Sequence, residues 1–216
     1  MSDENKPTTL SGVVGCEDVT DEIVAAYDSQ GYTLTFAEDV MRYDLSDTSL
    51  MLPRVRLSVA VDYLEWTPER AHVFFSVYAA AFRERPGFPG WSEAEWVRWT
   101  AGDPTFRPDL SVLALIQGQP VGFITCADYE EEPAQSGFVI QVGVDPEWRG
   151  QGLGAAMMIH ALDAWRDAGK KAVLLDVNVN NPVAIRLYEQ LGFVVVRRRG
   201  RFSRVTLPPS GSETPM

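Results

Sequence analysis

Cysteine and histidine are scarce in this sequence: Cys16, Cys126, His72 and His160 are the whole supply. They form neither the spacing of a metal knot nor a disulfide framework. No metal centre is therefore expected, and the thiols are expected to be small buried side chains in a reducing compartment. Basic residues are also few. Nineteen Lys and Arg stand against thirty Asp and Glu, for a net charge of −11. That balance argues against nucleic acid as a partner, because such binding depends on neutralising phosphates. It favours a cationic substrate, although most of these charges serve solubility. No apolar run approaches the ~20 residues of a membrane span. The opening Met1-Ser2-Asp3-Glu4-Asn5-Lys6 lacks the basic-then-apolar form of a secretory leader. A cytoplasmic protein without a membrane partner is expected. What the chain does have is 45% hydrophobic and 11% aromatic residues, enough for a full core.

The chain is organised around the stretch Gln141 to Ala155. A β-favouring run from Gly137 to Val144 stops at Asp145-Pro146, a short loop carries Arg149, and glycines at 150, 152 and 154 lead into an amphipathic run to Asp167. The pattern is strand, glycine loop, helix. The first turn of a helix has N–H groups without intrahelical partners and lies at the positive end of the helix dipole, so it suits a pyrophosphate. Glycines remove the Cβ atoms that would hold an anion off the backbone, and Arg149 adds a fixed charge. Two familiar phosphate motifs do not match. The dinucleotide fingerprint needs a third glycine where Ala155 stands, and the P-loop needs Gly-Lys-Ser/Thr.

Arg149-Gly150-Gln151-Gly152-Leu153-Gly154, following Val144-Asp145-Pro146, resembles the acyl-CoA loop of the GNAT superfamily of N-acetyltransferases, whose pattern is Arg/Gln-x-x-Gly-x-Gly/Ala after a strand ending Val-x-Pro. A second motif lies downstream, in the family's order: Val177, Asn181, Ala184, Leu187-Tyr188 and Gly192-Phe193. The resemblance covers roughly residues 55–207 and is strongest to the C-terminal half of tandem GNAT proteins such as mycothiol synthases. It implies an α/β (α+β) fold with a mixed, mostly antiparallel central sheet flanked by helices. It also implies transfer of an acetyl group from acetyl-CoA, as co-substrate, to a primary amine of a small molecule or peptide. By the same resemblance, backbone groups of Val142 and Val144 pair with the pantetheine arm, and Arg149, Gly150, Gln151, Gly152, Leu153, Gly154 and Ala155 hold the pyrophosphate. Asn181 contacts the cofactor, and Tyr188 protonates the departing thiolate.

Other stretches fill in the domain. A strand is expected over Arg56 to Tyr63, from the alternation of Leu57, Val59 and Val61. Thr67-Pro68 opens a helix with the apolar stripe Phe74, Val77, Tyr78 and Ala81. Ser92-Glu93-Ala94-Glu95 reads as a capping box that starts a helix carrying Trp96 and Trp99. Between them lies an aromatic-rich segment; by resemblance it borders the acceptor, with Phe82, Phe88 and Trp91 as substrate-binding candidates. A hairpin is expected around Gly118-Gln119-Pro120.

Near the N-terminus, Thr20 caps a helical run, and Thr33 to Leu45 reads as strand with a turn at Glu38-Asp39. Tyr27, Gly31 and Tyr32 stand 161 residues before Tyr188, Gly192 and Phe193. Residues 11–48 therefore resemble the last strand-helix-hairpin of a degenerate GNAT half, with Thr20 where Asn181 would fall. This copy is expected to pack on the sheet edge or support a homodimer. The remaining divisions are a disordered tail at 1–10, a linker at 49–54, the acetyltransferase domain at 55–207 and a flexible tail at 208–216.

An amine of ordinary pKa, ~10.4 for a lysine-like group, must lose a proton before it attacks. Mycothiol synthases place a glutamate on the cofactor strand, and Phe138 occupies that position here. Asp128 and Glu130, near the end of the preceding strand, are the candidate bases, or the amine is delivered neutral by a water chain. Two other readings compete. One is a non-catalytic acyl-CoA sensor or assembly protein. The other, a nucleotide-binding enzyme with Asp176 as its ribose-binding acid, fails on the missing third glycine and on a loop, Asp145 to Arg149, too long for that turn.

Overall fold

The computed structural model describes residues 9–46, 55, 57–85, 87–132 and 134–206. Residues 1–8 of the tail expected at 1–10, the linker at 49–54 and the tail at 208–216 lie outside the described residues, and Thr9 and Leu10 of the first tail belong to a strand. Thirteen elements of regular structure follow one another as β1 (Thr9–Cys16), α1 (Asp21–Asp28), β2 (Thr33–Asp44), β3 (Asp62–Glu65), α2 (Ala71–Phe82), α3 (Glu93–Ala101), β4 (Val112–Ile116), β5 (Gln119–Asp128), β6 (Ser136–Val144), α4 (Leu153–Asp167), β7 (Ala172–Asn178), α5 (Pro182–Leu191) and β8 (Val194–Thr206). The result is a mixed, mostly antiparallel sheet with helices, as expected. Two compact units divide it: residues 1–40, 177–182 and 195–216 in one, and 41–176 with 183–194 in the other.

In the larger unit the strands run β7-β6-β5-β4-β3. The three pairs from β6 to β3 are antiparallel, and β6 pairs with β7 in parallel. The hairpin turns at Gln117 and Gly118, both with positive φ. Strand β4 is buried along its whole length, as its unbroken Val-Leu-Ala-Leu-Ile run requires. Trp66, Phe74, Val77, Tyr78, Trp96, Leu113 and Phe123 form the core on the α2–α3 side. Ser92 and Glu95 complete the capping box in both directions. Phe74, Val77 and Tyr78 of the α2 stripe are buried.

Two expectations need correction. The strand expected over Arg56 to Tyr63 is instead the short β3, because among the described residues of this stretch only Asp62 to Glu65 finds a partner, Val112 to Leu115 of β4; alternation suggests a buried face but does not supply a neighbour. The turn expected at Glu38-Asp39 is absent, and β2 runs straight through. Asp39 is buried and accepts hydrogen bonds from Arg198 Nε and Nη2 at 2.6 and 3.0 Å, so an acidic residue sits inside a strand without an unpaired charge.

The smaller unit carries β1, α1, most of β2 and most of β8, with β1 antiparallel to β8. Thr20 caps α1 by accepting from Ile23 N–H. The helix end repeats the end of α5. Gly31 and Gly192 both have positive φ, 78° and 100°. Tyr32 N–H bonds to Tyr27 O as Phe193 N–H does to Tyr188 O. Tyr27–Tyr32 and Tyr188–Phe193 both hold their ring centroids 5.9 Å apart. A Cβ on Gly31 would meet Arg204 and one on Gly192 would meet Tyr43, and those two residues are themselves 161 apart. Hence the offset read from three residues extends to their neighbours in space.

Candidate active site

Strand β6 supplies the first half of the site. Thr125 of β5 faces Gln141 and Cys126 faces Val139, so Ile140 is the extra residue of a bulge. The parallel pairing with β7 ends at Val139↔Leu175, although β6 continues to Val144. Beyond the bulge, Asp145 N–H bonds to Val121 O at 2.9 Å. Because successive residues of a strand turn their backbone groups to opposite sides, Gly143 then faces β5 while Val142 and Val144 face the edge where pairing has ended. These are the two residues singled out for the pantetheine arm, and an extended amide chain is what such an edge accepts.

The loop after β6 is a single 3-10 turn, Pro146–Trp148, capped by the Asp145 carboxylate accepting from Glu147 N–H. Gly150 and Gly152 have φ of 75° and 85°, a conformation that a Cβ would strain. The chain then enters α4, whose first N–H groups at Leu153, Gly154 and Ala155 have no intrahelical acceptor. A Cβ on Gly154 would lie in ordinary contact, 3.5 Å from Leu187 and 3.8 Å from Val144, which places both residues beside the helix start. Gln151 Nε2 donates to Glu147 O at 3.5 Å. The Arg149 guanidinium points to protein: Nη2 donates to Ala81 O at 2.7 Å and Nε to Val144 O at 3.2 Å.

Leu187 brings its neighbour Tyr188 to this region. Tyr188 is 7% exposed. Burial pushes its phenol up to about 12, against a smaller downward pull from the Arg85 guanidinium. It is therefore protonated throughout the neutral range. Arg85 was not singled out in the sequence, yet its charge also opposes the burial-raised value of Tyr78, and its guanidinium lies 5.8 Å from the Phe82 ring centroid. Asn181 sits in a tight turn, its N–H bonded to Asn178 O at 2.9 Å, just before Pro182 opens α5.

The candidate acceptor residues Phe82, Phe88 and Trp91 are half-buried and pack on the α2–α3 core. Phe82 and Phe88 flank Tyr78 at 5.3 and 5.7 Å, and Trp91 lies 5.1 Å from Trp99. Trp96 Nε1 donates to Gln141 Oε1 at 3.0 Å, which ties α3 to the bulged strand. Sequence reasoning missed this bond, since only a buried indole's need for an acceptor hinted at it. The two candidate bases differ in setting. Asp128 accepts from Lys170 Nζ at 2.7 Å and from Arg107 Nη1 at 3.2 Å, both through Oδ1. Glu130 is exposed in the turn that follows. Phe138 stacks on Tyr129, centroids 5.9 Å apart. Both cysteines are free. Among the described residues no group of three or more His, Cys, Asp and Glu is placed to hold a metal ion, and no helix is long and apolar enough to cross a membrane.

Comparison with known proteins identifies the family. Residues 71–193 match the model of the acetyltransferase (GNAT) family. Mycothiol acetyltransferase of Thermomonospora curvata is 35% identical over 154 residues, covering 71% of this chain and 50% of the relative. Its counterpart from Thermobispora bispora is 34% identical over 173 residues, covering 78% and 58%. The chain thus spans about half the length of these curated relatives. Among solved structures, a GCN5-related N-acetyltransferase from Sphaerobacter thermophilus superposes with a TM-score of 0.71 at 20% identity, over 89% of this chain and 59% of that one; this likeness concerns the fold.

Proposed function

From the premise that this chain belongs to the GNAT family of N-acetyltransferases, we propose that it moves the acetyl group of acetyl-CoA to a primary amine of a small molecule or peptide by direct attack. The observation that carries the reading is the open edge of β6 beside a helix start entered through glycines 150, 152 and 154, with a buried, protonated tyrosine on the helix packed against that start. Acetyl-CoA supplies an activated thioester. Val142 and Val144 hold its pantetheine arm by backbone hydrogen bonds, and the backbone of the loop from Arg149 to Ala155 receives the pyrophosphate at the positive end of α4. Asn181 contacts the cofactor from the start of α5. Attack builds negative charge on the thioester oxygen and then on sulfur, and Tyr188 donates to the leaving thiolate.

Phe82, Phe88 and Trp91 border the acceptor. The amine is small or peptidic, and the acidic surface favours a cationic one. The relatives' name points to the mycothiol system, but Phe138 stands where those enzymes carry a glutamate. Glu130 is therefore the first carboxylate to test as base, with Asp128 second. The protein acts in the cytoplasm, without metal, membrane or nucleic acid. Its N-terminal copy of a GNAT half serves packing or a homodimer.

The test is thermal stability with acetyl-CoA, CoA, ATP and NAD in parallel. A ligand at ~100 times its dissociation constant adds ~2.7 kcal/mol, so acetyl-CoA and CoA alone should raise Tm. Amine-dependent thiol release then separates an enzyme from a sensor. No stabilisation by either thiol ligand would remove the donor site and the proposal with it.

A further inference from the structure

We infer that the Arg149 side chain is a positioning residue that couples the donor loop to the end of α2, and is not itself a ligand of the pyrophosphate. The inference rests on the donor-site reading above.

Arg149 heads the glycine loop, and its side chain turns away from that loop to bridge two backbone carbonyls from different elements. Nη2 donates to Ala81 O at 2.7 Å, and Nε donates to Val144 O at 3.2 Å. Ala81 lies in the last turn of α2, where carbonyls lack intrahelical donors and the helix dipole is negative, so a guanidinium is favoured there. Val144 is the last residue of β6 and turns its backbone to the unpaired edge. One planar group thus ties together the loop, the donor edge and the helix end. The two bonds leave from separate nitrogens of one rigid fork.

The elements meet closely enough for the tie to matter. A Cβ on Gly143 would stand 3.0 Å from both Ala81 Cβ and Phe82 Cε2, and 2.5 Å from Phe123 Cε1. The last turn of α2 is therefore seated directly on the donor strand. Phe82 closes that turn, and Arg85 follows it through the bond from Arg85 N–H to Phe82 O at 2.9 Å. Any ordering of the loop or of β6 by the donor reaches, through Arg149, the segment that carries the acceptor candidates. Donor binding then prepares the acceptor side.

Hydrogen–deuterium exchange on the full chain, with CoA as the probe, tests this. In the wild type, CoA should slow exchange at 150–156 and also at 79–85. Arg149→Lys keeps the charge but replaces the planar fork, whose Nε and Nη2 make the two bonds, by a single ammonium nitrogen on a flexible stem, and Arg149→Ala removes both features. In both variants CoA should still protect 150–156, while protection at 79–85 is lost. The acceptor KM should rise about tenfold with CoA affinity within about threefold. Wild-type protection confined to 150–156, or protection at 79–85 that survives in Arg149→Lys, overturns the coupling. A loss of CoA affinity beyond tenfold in Arg149→Ala that Arg149→Lys restores makes the side chain a phosphate ligand and equally overturns it. Absence of any CoA effect at 150–156 in the wild type is a separate result, which removes the donor-site reading on which the coupling stands.

Discussion

Replacing Tyr188 by Phe removes one hydroxyl from a side chain that is 7% exposed and leaves the ring packing on Phe193 in place. Burial puts the phenol at about 12, whereas an ordinary thiol lies near ~8.5. Complete proton transfer to a free thiolate is thus uphill by about 3.5 units, roughly 5 kcal/mol. The weak driving force points to a hydroxyl that stabilises the developing thiolate by hydrogen bonding and completes the transfer late. The expected loss lies at the low end of general-acid effects, about 100-fold in kcat, or roughly 2.7 kcal/mol. Acetyl-CoA affinity should stay within about twofold. Single-turnover thiol release against acceptor concentration measures the chemical step directly. Unchanged single-turnover rates would remove Tyr188 from its assigned place. The elevated phenol also has a stability signature. A group that binds its proton more tightly folded than unfolded contributes fully below the unfolded value near 10, and the contribution is lost as pH rises towards about 12. Between those limits wild type should lose roughly 3 kcal/mol more than Tyr188→Phe. Parallel denaturation curves for the two proteins would contradict the burial argument.

Asp128→Asn should destabilise by about 1–3 kcal/mol, because Lys170, whose side chain is 9% exposed, loses its carboxylate; kcat/KM per folded molecule should stay within about threefold, while Glu130→Gln lowers it tenfold or more. A 100-fold activity loss in Asp128→Asn at unchanged Tm would reverse the two assignments. Gly137→Ala places a Cβ 2.5 Å from the fully buried Trp165 ring, and overpacking of this kind costs about 1–3 kcal/mol, measured as a fall of roughly 2–4 °C in Tm per kcal/mol. A Tm equal to wild type would mean that the ring yields freely. Cys126 is buried and its thiol is pushed up to about 12, so an aromatic disulfide reagent should label Cys16 alone in native protein and both thiols after denaturation. Equal rates at the two sites would expose an opening of β5.

The features legible in the sequence are local ones. The glycine loop at 150, 152 and 154, the capping box at Ser92 and Glu95, and the turn at Gly118 each follow from what a few neighbouring residues allow their own backbone to do. The two GNAT motifs were legible for the same reason, since each is a short stretch whose glycines and caps leave the backbone few alternatives. The glycine-aromatic repeat at an offset of 161 was legible too, and its side-chain contacts recur in both copies. Where the sequence was misread, a distant partner decided the outcome. Strand β3 formed only where β4 faced it, and Asp39 stayed in its strand because Arg198 reached it. Tertiary structure alone decided that β6 parts from β7 after Val139, that Asp128 is held by two cations, that Tyr188 is buried enough to keep its proton, and that Arg149 turns to a carbonyl 68 residues away. Those facts depend on which surfaces meet, and burial, pairing and charge take their values only after the chain has closed around them.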